Sequence, residues 1–189
     1  MIILSFDVGI KNLAYCQIDS ITKDILDWNI IDCSIEKKDN QCQILKLISE
    51  LDSIPNLLES DIILIEKQPS FNPIMRIIST AIYVYFAIRI CHELNSESFK
   101  KIKILYYSAK HKLKLCTETE SYQKNEQYKN GNKRVVKKDR SKNYYNNKKA
   151  AIEHTNVLLT NNSFLTFFSK SKKKDDLADC YLQALAYLI

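Results

Sequence analysis

Residues 1–18 read MIILSFDVGIKNLAYCQI. Met1–Phe6 is a short apolar run broken only by Ser5, the length of a buried strand. Leu13–Ile18 (LAYCQI) is a second strand, and Ile25–Ile31 (ILDWNII) a third. Their connections are too short for crossover helices, so the three predict an antiparallel meander. Asp7 follows the first strand directly, and Gly9, one of only two glycines in 189 residues, stands two positions later. A residue without Cβ there permits positive φ in a tight turn and close approach of a phosphate. The bland alternative is a plain hairpin glycine.

Downstream, Gln41–Leu51 carries apolar residues at helical spacing. Asp61–Glu66 (DIILIE) is a fourth strand, again ending in an acid. Asn72–Leu94 reads as a long helix, with Asn72 as cap and Pro73 in the first turn. It is apolar on nearly every face, and such a helix must be covered on all sides. Ile102–Tyr107 is a fifth strand, and Asn143–Leu159 and Asp176–Ile189 are helices. The order β-β-β-α-β-α-β-α-α, without repeats or linkers, predicts one α/β domain over residues 1–189, a length that buries a core of its own.

An apolar content of 46% excludes a disordered chain. No run of 18 uninterrupted apolar residues occurs, and the N-terminus lacks the basic region of a secretory signal. The expectation is an intracellular protein, not secreted and with no membrane partner. Six cysteines form no C-x-x-C pair and only three histidines are present, so a zinc site is not expected. The cysteines read as reduced thiols. The net charge of +6 is unevenly spread: residues 100–149 hold 16 Lys and Arg against 4 Asp and Glu, and the other 139 hold 12 against 18. A neutral-to-acidic body with one strongly basic segment is the footprint of a protein that grips a polyanion. Thr117–Lys142 is polar, basic and nearly free of aliphatics, and reads as a mobile basic loop.

Four acids stand at the ends of buried elements. Asp7 closes the first strand, Glu66 closes the fourth, and Asp176 and Asp179 share one face at the start of the last helix. Each has a bland reading as a turn residue, a strand-end surface acid or a helix-dipole partner. Together they form a self-repelling set that hard cations such as Mg²⁺ or Mn²⁺ would hold. Two such ions about 4 Å apart clamp a phosphodiester for in-line attack by water.

DVGIKN (Asp7–Asn12), IEKQ (Ile65–Gln68) and KKDDLADCYLQAL near the C-terminus resemble the RuvC-like Holliday junction resolvases, and the poxvirus branch most. The resemblance spans essentially the whole chain. It implies a ribonuclease H-like fold, a mixed five-stranded sheet with the first three strands antiparallel, flanked by helices. It further implies a homodimer, formed through helix 72–94, that nicks four-way DNA junctions symmetrically with Mg²⁺ (Mn²⁺ substituting), two ions per site. Carried over by motif, Asp7, Glu66, Asp176 and Asp179 are the metal-binding catalytic acids, with Asp175 the substitute if the last helix shifts by one. A catalytic lysine before a helix maps to Lys148 or Lys149, for which a plain helix-surface reading stands equally. Gly9, Asn12 and Gln68 in the motifs, and Lys133, Arg134, Lys137, Lys138, Arg140 and Lys142 in the basic segment, are the DNA-contact candidates. Tyr122, Tyr128, Tyr144 and Tyr145 are interleaved with those charges and suit base stacking, or, for the last two, helix packing. The poxvirus resemblance would place the protein in the host cytoplasm. A nuclease of the same superfamily acting on RNA–DNA hybrid or flaps, and a non-catalytic branched-DNA-binding module, are the alternatives. An actin-like ATPase would need a second glycine-rich phosphate loop that the chain does not have.

Overall fold

The computed structural model describes residues 1–36, 39–93, 102–108 and 140–189, the side chains of 93 and 140–146 excepted. Strands β1 (Ile2–Asp7), β2 (Leu13–Asp19) and β3 (Ile25–Ile31) are followed by helix α1 (Asn40–Asp52) and a 3₁₀ turn at Leu57–Glu59. Then come β4 (Ile62–Glu66), α2 (Pro73–Glu93), β5 (Lys103–Tyr107), α3 (Arg140–Leu158), α4 (Asn162–Lys170) and α5 (Lys174–Tyr187). The strands form one sheet in the order β3-β2-β1-β4-β5. β1–β2 and β2–β3 pair antiparallel, as their short connections require. β1–β4 and β4–β5 pair parallel, with α1 and α2 as the crossovers. This is the mixed five-stranded sheet expected from the sequence.

Alternation along β1 and β4 divides the core in two. Leu4, Phe6, Ile63 and Ile65 pack with Leu47 and Leu51 of α1 and with Ile78, Ile82, Phe86 and Ile90 of α2. Ile3, Ile62 and Leu64, with Cys16 and Trp28, pack with Leu177, Tyr181 and Leu185 of α5, Phe168 of α4 and Ala151 of α3. Both faces of the central strands are therefore covered, which explains why β1 and β4 read as unbroken apolar runs. The period of two puts Asp7 and Glu66 in the rows of Ile3 and Leu64, on the face that α5 covers.

Two helices depart from the sequence reading. α3 begins at Arg140, three residues before the expected Asn143, so Arg140 and Lys142 sit on helix backbone and not in the basic loop. α4 was not anticipated at all. Asn161 caps it, its side chain accepting from the Ser163 N–H, and Phe164, Leu165, Phe167 and Phe168 supply an apolar stripe over nine residues. Its purpose is to cover Trp28, which stacks on Phe168 at 5.3 Å between ring centres, with Phe164 and Phe167 close by. Trp28 Nε1 donates to the Leu177 carbonyl at 3.1 Å, joining β3 to α5.

α2 is not covered all round. Ile78, Ile82, Phe86 and Ile90 are buried against the sheet, whereas Ile74, Ile77, Val84 and Ile88 are exposed by 41, 37, 45 and 52%. By length and composition Pro73–His92 is apolar enough to cross a membrane, with mean hydropathy 1.6. The sequence reading excluded such a segment because it looked for an uninterrupted run. Its place as the β4–β5 crossover accounts for the composition: one face is core, and the other is an exposed seam.

Candidate active site

β1 and β4 are neighbours in register, Phe6 opposite Ile65. Asp7 and Glu66 are each the next residue, so two carboxylates emerge side by side from strands spaced about 4.8 Å apart. Asp7 is only 8% exposed and Glu66 is half-buried. Glu66 is held by Gln68, whose Nε2 donates to the Glu66 carboxylate at 3.0 Å and to the Glu66 backbone carbonyl at 3.3 Å. Gln68, expected to touch DNA, thus orients a site acid.

The turn after Asp7 answers the question of Gly9. A Cβ there would lie 2.5 Å from the Asn12 carbonyl oxygen and 3.0 Å from its carbon. That is backbone, which cannot give way. Gly9 does not occupy the left-handed region, so positive φ is not its reason. The close approach it permits is that of the chain's own Asn12 carbonyl, which corrects the sequence-based reason. The loop is fastened by the Cys33 N–H donating to the Ile10 carbonyl at 2.8 Å, and the half-buried Asn12 leads into β2.

α5 brings the second group of acids. It begins at Lys174, two residues earlier than the expected Asp176, so Asp175 and Asp176 occupy its first turn and Asp179 its second. The helix is pinned to β1 by Gln183, fully buried, whose Nε2 donates to Ser5 Oγ at 3.0 Å and to the Phe6 carbonyl at 3.1 Å. Asp179 is four residues and Asp176 seven residues before Gln183, so all three lie along one helix face. Gln183 Oε1 is buried and accepts no hydrogen bond from the described residues, an arrangement that costs about 1–3 kcal/mol.

Lys148 of α3 donates to the Asp175 carboxylate at 2.5 Å, both side chains being half-buried. Burial pushes the Asp175 carboxyl up, but the Lys148 hydrogen bond and charge outweigh it and hold it below its ordinary value. For Asp176 the balance reverses. Burial and then the Asp175 charge push its carboxyl above the ordinary range, with Asp179 adding to the rise against Lys148 and Lys173. Lys149, by contrast, is 68% exposed and pairs at 3.7 Å with Glu153 one turn on. Of the two candidate lysines, the structure puts Lys148 at the acids and turns Lys149 away.

The acids therefore stand as two groups on one face: Asp7 with Glu66 on the strand ends, and Asp176 with Asp179 on α5. Among the described residues no three His, Cys, Asp or Glu side chains come close enough together to hold a metal ion as they stand. The donor set is nonetheless one of hard oxygens, the kind Mg²⁺ takes. Asp175, beside Asp176 in the first turn of α5, is hydrogen-bonded to Lys148. The site is an open rim; the cavity of about 380 Å³ lined by Lys23, His154 and Tyr181 lies at the opposite end of the sheet, beside the β2–β3 turn.

Sequence reasoning missed Phe71. It stands 85% exposed in the loop that follows Glu66, and the signal was a large aromatic in the polar, proline-flanked stretch QPSFNP. Lys133, Arg134, Lys137 and Lys138, with Tyr122 and Tyr128 and most of the basic loop 117–142, lie outside the described residues, as do the side chains of Arg140, Lys142, Tyr144 and Tyr145. Among the described residues, Cys16, Cys33, Cys42, Cys91 and Cys180 form no disulfide.

Comparison with known proteins bears out the resemblance read from the motifs. Residues 1–93, from β1 through α2, match the family described as Poxvirus A22 protein. An uncharacterized protein of Acanthamoeba polyphaga mimivirus is 31% identical over 151 residues, 78% of this chain. The chain spans about a third of that relative's length, 34%. The fowlpox virus resolvase, solved in complex with Holliday junction DNA, is 19% identical, with 100% of this chain and 97% of that one covered and a TM-score of 0.56. The yeast mitochondrial Holliday junction resolvase Ydc2 is 17% identical over 98% of this chain and 78% of its own, with a TM-score of 0.60. Thermus thermophilus RuvC, in complex with a Holliday junction substrate, is 10% identical over 98% and 92%, with a TM-score of 0.60. The fold is the ribonuclease H-like fold of these structures.

Proposed function

From the match of its first 93 residues to the poxvirus A22 family, and the RuvC-like fold of the whole, we propose that this chain is a structure-specific endodeoxyribonuclease that resolves four-way DNA junctions by paired symmetric nicks. The observation that carries the reading is that Asp7 and Glu66 end adjacent parallel strands on the sheet face covered by α5, whose first two turns bear Asp176 and Asp179.

Asp7, Glu66, Asp176 and Asp179 would hold Mg²⁺, with Mn²⁺ able to replace it. Bound there, such an ion supplies Lewis-acid activation of water and neutralises the phosphate's developing charge. The protein's own part is positioning. Buried Asp7 sits at a strand end that cannot shift without moving β2 and β4. Gln68 fixes the Glu66 carboxylate. The Lys148 ammonium, steadied by Asp175, offers a positive charge to a phosphate oxygen at the rim. Phe71 offers an exposed aromatic face beside the acids for stacking on an unpaired base. The basic segment 100–149 holds the DNA arms, so binding falls steeply with salt.

Paired nicks need two sites in one particle. Ile74, Ile77, Ala81, Val84, Ile88 and Cys91 recur on α2 at alternating spacings of three and four, the heptad seam of a helix that packs on a second copy. All are exposed except the half-buried Ala81. Two-fold pairing of α2 would therefore give the homodimer. Cysteines that form no disulfide among the described residues suit an intracellular, reducing site of action.

The test is cleavage of a labelled four-way junction in Mg²⁺, beside linear duplex and RNA–DNA hybrid of the same sequence. Paired, ligatable nicks on the junction alone, lost in Asp7→Asn, are expected. Cleavage of hybrid or flap instead would overturn the substrate. Tight junction binding with no cleavage in either metal would make the chain a binding module.

A further inference from the structure

Gln183 stands where the α5–sheet interface is otherwise apolar, between Leu182 and Ala184 and against the rows of Ile3 and Leu64. Its amide orientation is fixed by chemistry. The Phe6 carbonyl only accepts, so the NH₂ group faces it and Oε1 faces away. The two bonds grip the last turn of pleat before Asp7: Ser5 Oγ projects from the same face as the Asp7 carboxylate, and the Phe6 carbonyl belongs to the peptide that carries the Asp7 nitrogen. The same side chain lies one turn after Asp179 and two after Asp176. One residue thus fixes the distance between the strand acids and the helix acids. Its buried Oε1 is a spare acceptor at that point.

We infer that Gln183 is a positioning residue for the cation site: it locks Asp7 in register with Asp176 and Asp179 through Ser5 and Phe6. Partners of this kind, one step removed from the ligands, commonly set metal affinity by about 10–100-fold. The inference rests on the acids being the cation site.

The experiment is calorimetric titration of Mn²⁺ into the full chain without DNA, for wild type, Asp7→Asn, Gln183→Met and Ser5→Ala, with circular dichroism and thermal melts on each. Gln183→Met preserves length and volume but removes both donor bonds and the acceptor. Expected is a folded protein that binds Mn²⁺ about 10-fold more weakly or worse, with Ser5→Ala weakened in the same direction by a smaller factor. Ser5→Ala leaves α5 untouched and carries the test if Gln183→Met does not fold. A merely structural role would lower the melting temperature of Gln183→Met and leave its Mn²⁺ affinity, and that of Ser5→Ala, within about twofold of wild type; that result overturns the inference. If wild type takes up no Mn²⁺, or Asp7→Asn binds it equally well, the fault lies with the site assignment itself.

Discussion

Replacing Val84 by Glu in the middle of the α2 seam is expected to convert a dimer into monomers. Ile74, Ile77, Val84 and Ile88 leave 41, 37, 45 and 52% of their surface exposed. Fully burying an aliphatic side chain of this size is worth roughly 1.5–3 kcal/mol, so covering what these four leave open yields about 5–10 kcal/mol over two protomers. Association itself costs an estimated 4–15 kcal/mol, so the seam operates on a narrow margin. Val84→Glu removes about 1 kcal/mol of apolar burial per protomer and sets two unpaired carboxylates into the contact, each costing several kcal/mol when desolvated. A loss of about 4 kcal/mol or more follows, roughly a thousandfold in dissociation constant. Light scattering coupled to size exclusion at micromolar concentration reads the outcome directly, as a fall from twice 22.0 kDa to 22.0 kDa. Leu45→Glu, on an equally exposed apolar residue of α1 away from the seam, is the control and remains dimeric. Monomeric Val84→Glu should nick junctions singly and lose the paired product. An unchanged mass for Val84→Glu, with Leu45→Glu dissociating instead, would refute the seam.

Lys148→Ala should lower single-turnover cleavage by tenfold or more (about 1.4 kcal/mol of transition-state stabilisation) while Lys149→Ala stays within about twofold; the reverse order would refute the placement of Lys148 at the acids. Phe71→Ala should leave the melting temperature unchanged, because the ring is exposed, and weaken junction binding by about 1–3 kcal/mol in a gel-shift titration; equal binding removes Phe71 from the interface. Burial and Asp175 push the Asp176 carboxyl up, so its ionised form burdens the fold as pH rises past the ordinary carboxylate range, and fully above its raised value. Near neutral pH without metal, Asp176→Asn should therefore melt higher than wild type, and it should lose the rise in melting temperature that Mg²⁺ gives wild type; a lower melt in metal-free buffer contradicts this reading.

The sheet was legible because its strands are buried on both faces: an apolar run ending in an acid marks β1 and β4 without reference to anything distant. α5 was legible through its three-and-four spacing, although its start was set two residues late because Lys174 has no recognisable cap. α4 was overlooked because nine residues with three Ser or Thr among them dilute a helical stripe, and its reason for existing, the face of Trp28, lies 140 residues before Phe168 in sequence. The choice between Lys148 and Lys149 could not be made from spacing. Neighbouring helical residues point about 100° apart, and which of the two meets Asp175 depends on how α3 lies against α5. Gln68 and Gln183 were invisible as site-builders for the same reason: each acts through a hydrogen bond to another element's backbone or carboxylate, not through a pattern of its own.

The proposed site is an assembly of two halves. Asp7 and Glu66 belong to the sheet, and Asp176 and Asp179 to a helix more than a hundred residues later. Bringing the four carboxylates together without a cation would raise like-charge repulsion, and within the helix half burial and the neighbouring Asp175 charge, with Asp179 adding to them, already push the Asp176 carboxyl up. Gln183, which ties α5 to β1, and Lys148, which pairs with Asp175 and also draws the Asp176 carboxyl down, work against that repulsion. On the proposed reading, the fold sets the two halves on one face of the sheet and a divalent cation would complete the site. Metal binding would then stabilise the protein and assemble the reactive geometry in the same step, so a metal-free protein should be folded, able to grip DNA through its basic segment, and unable to cut it.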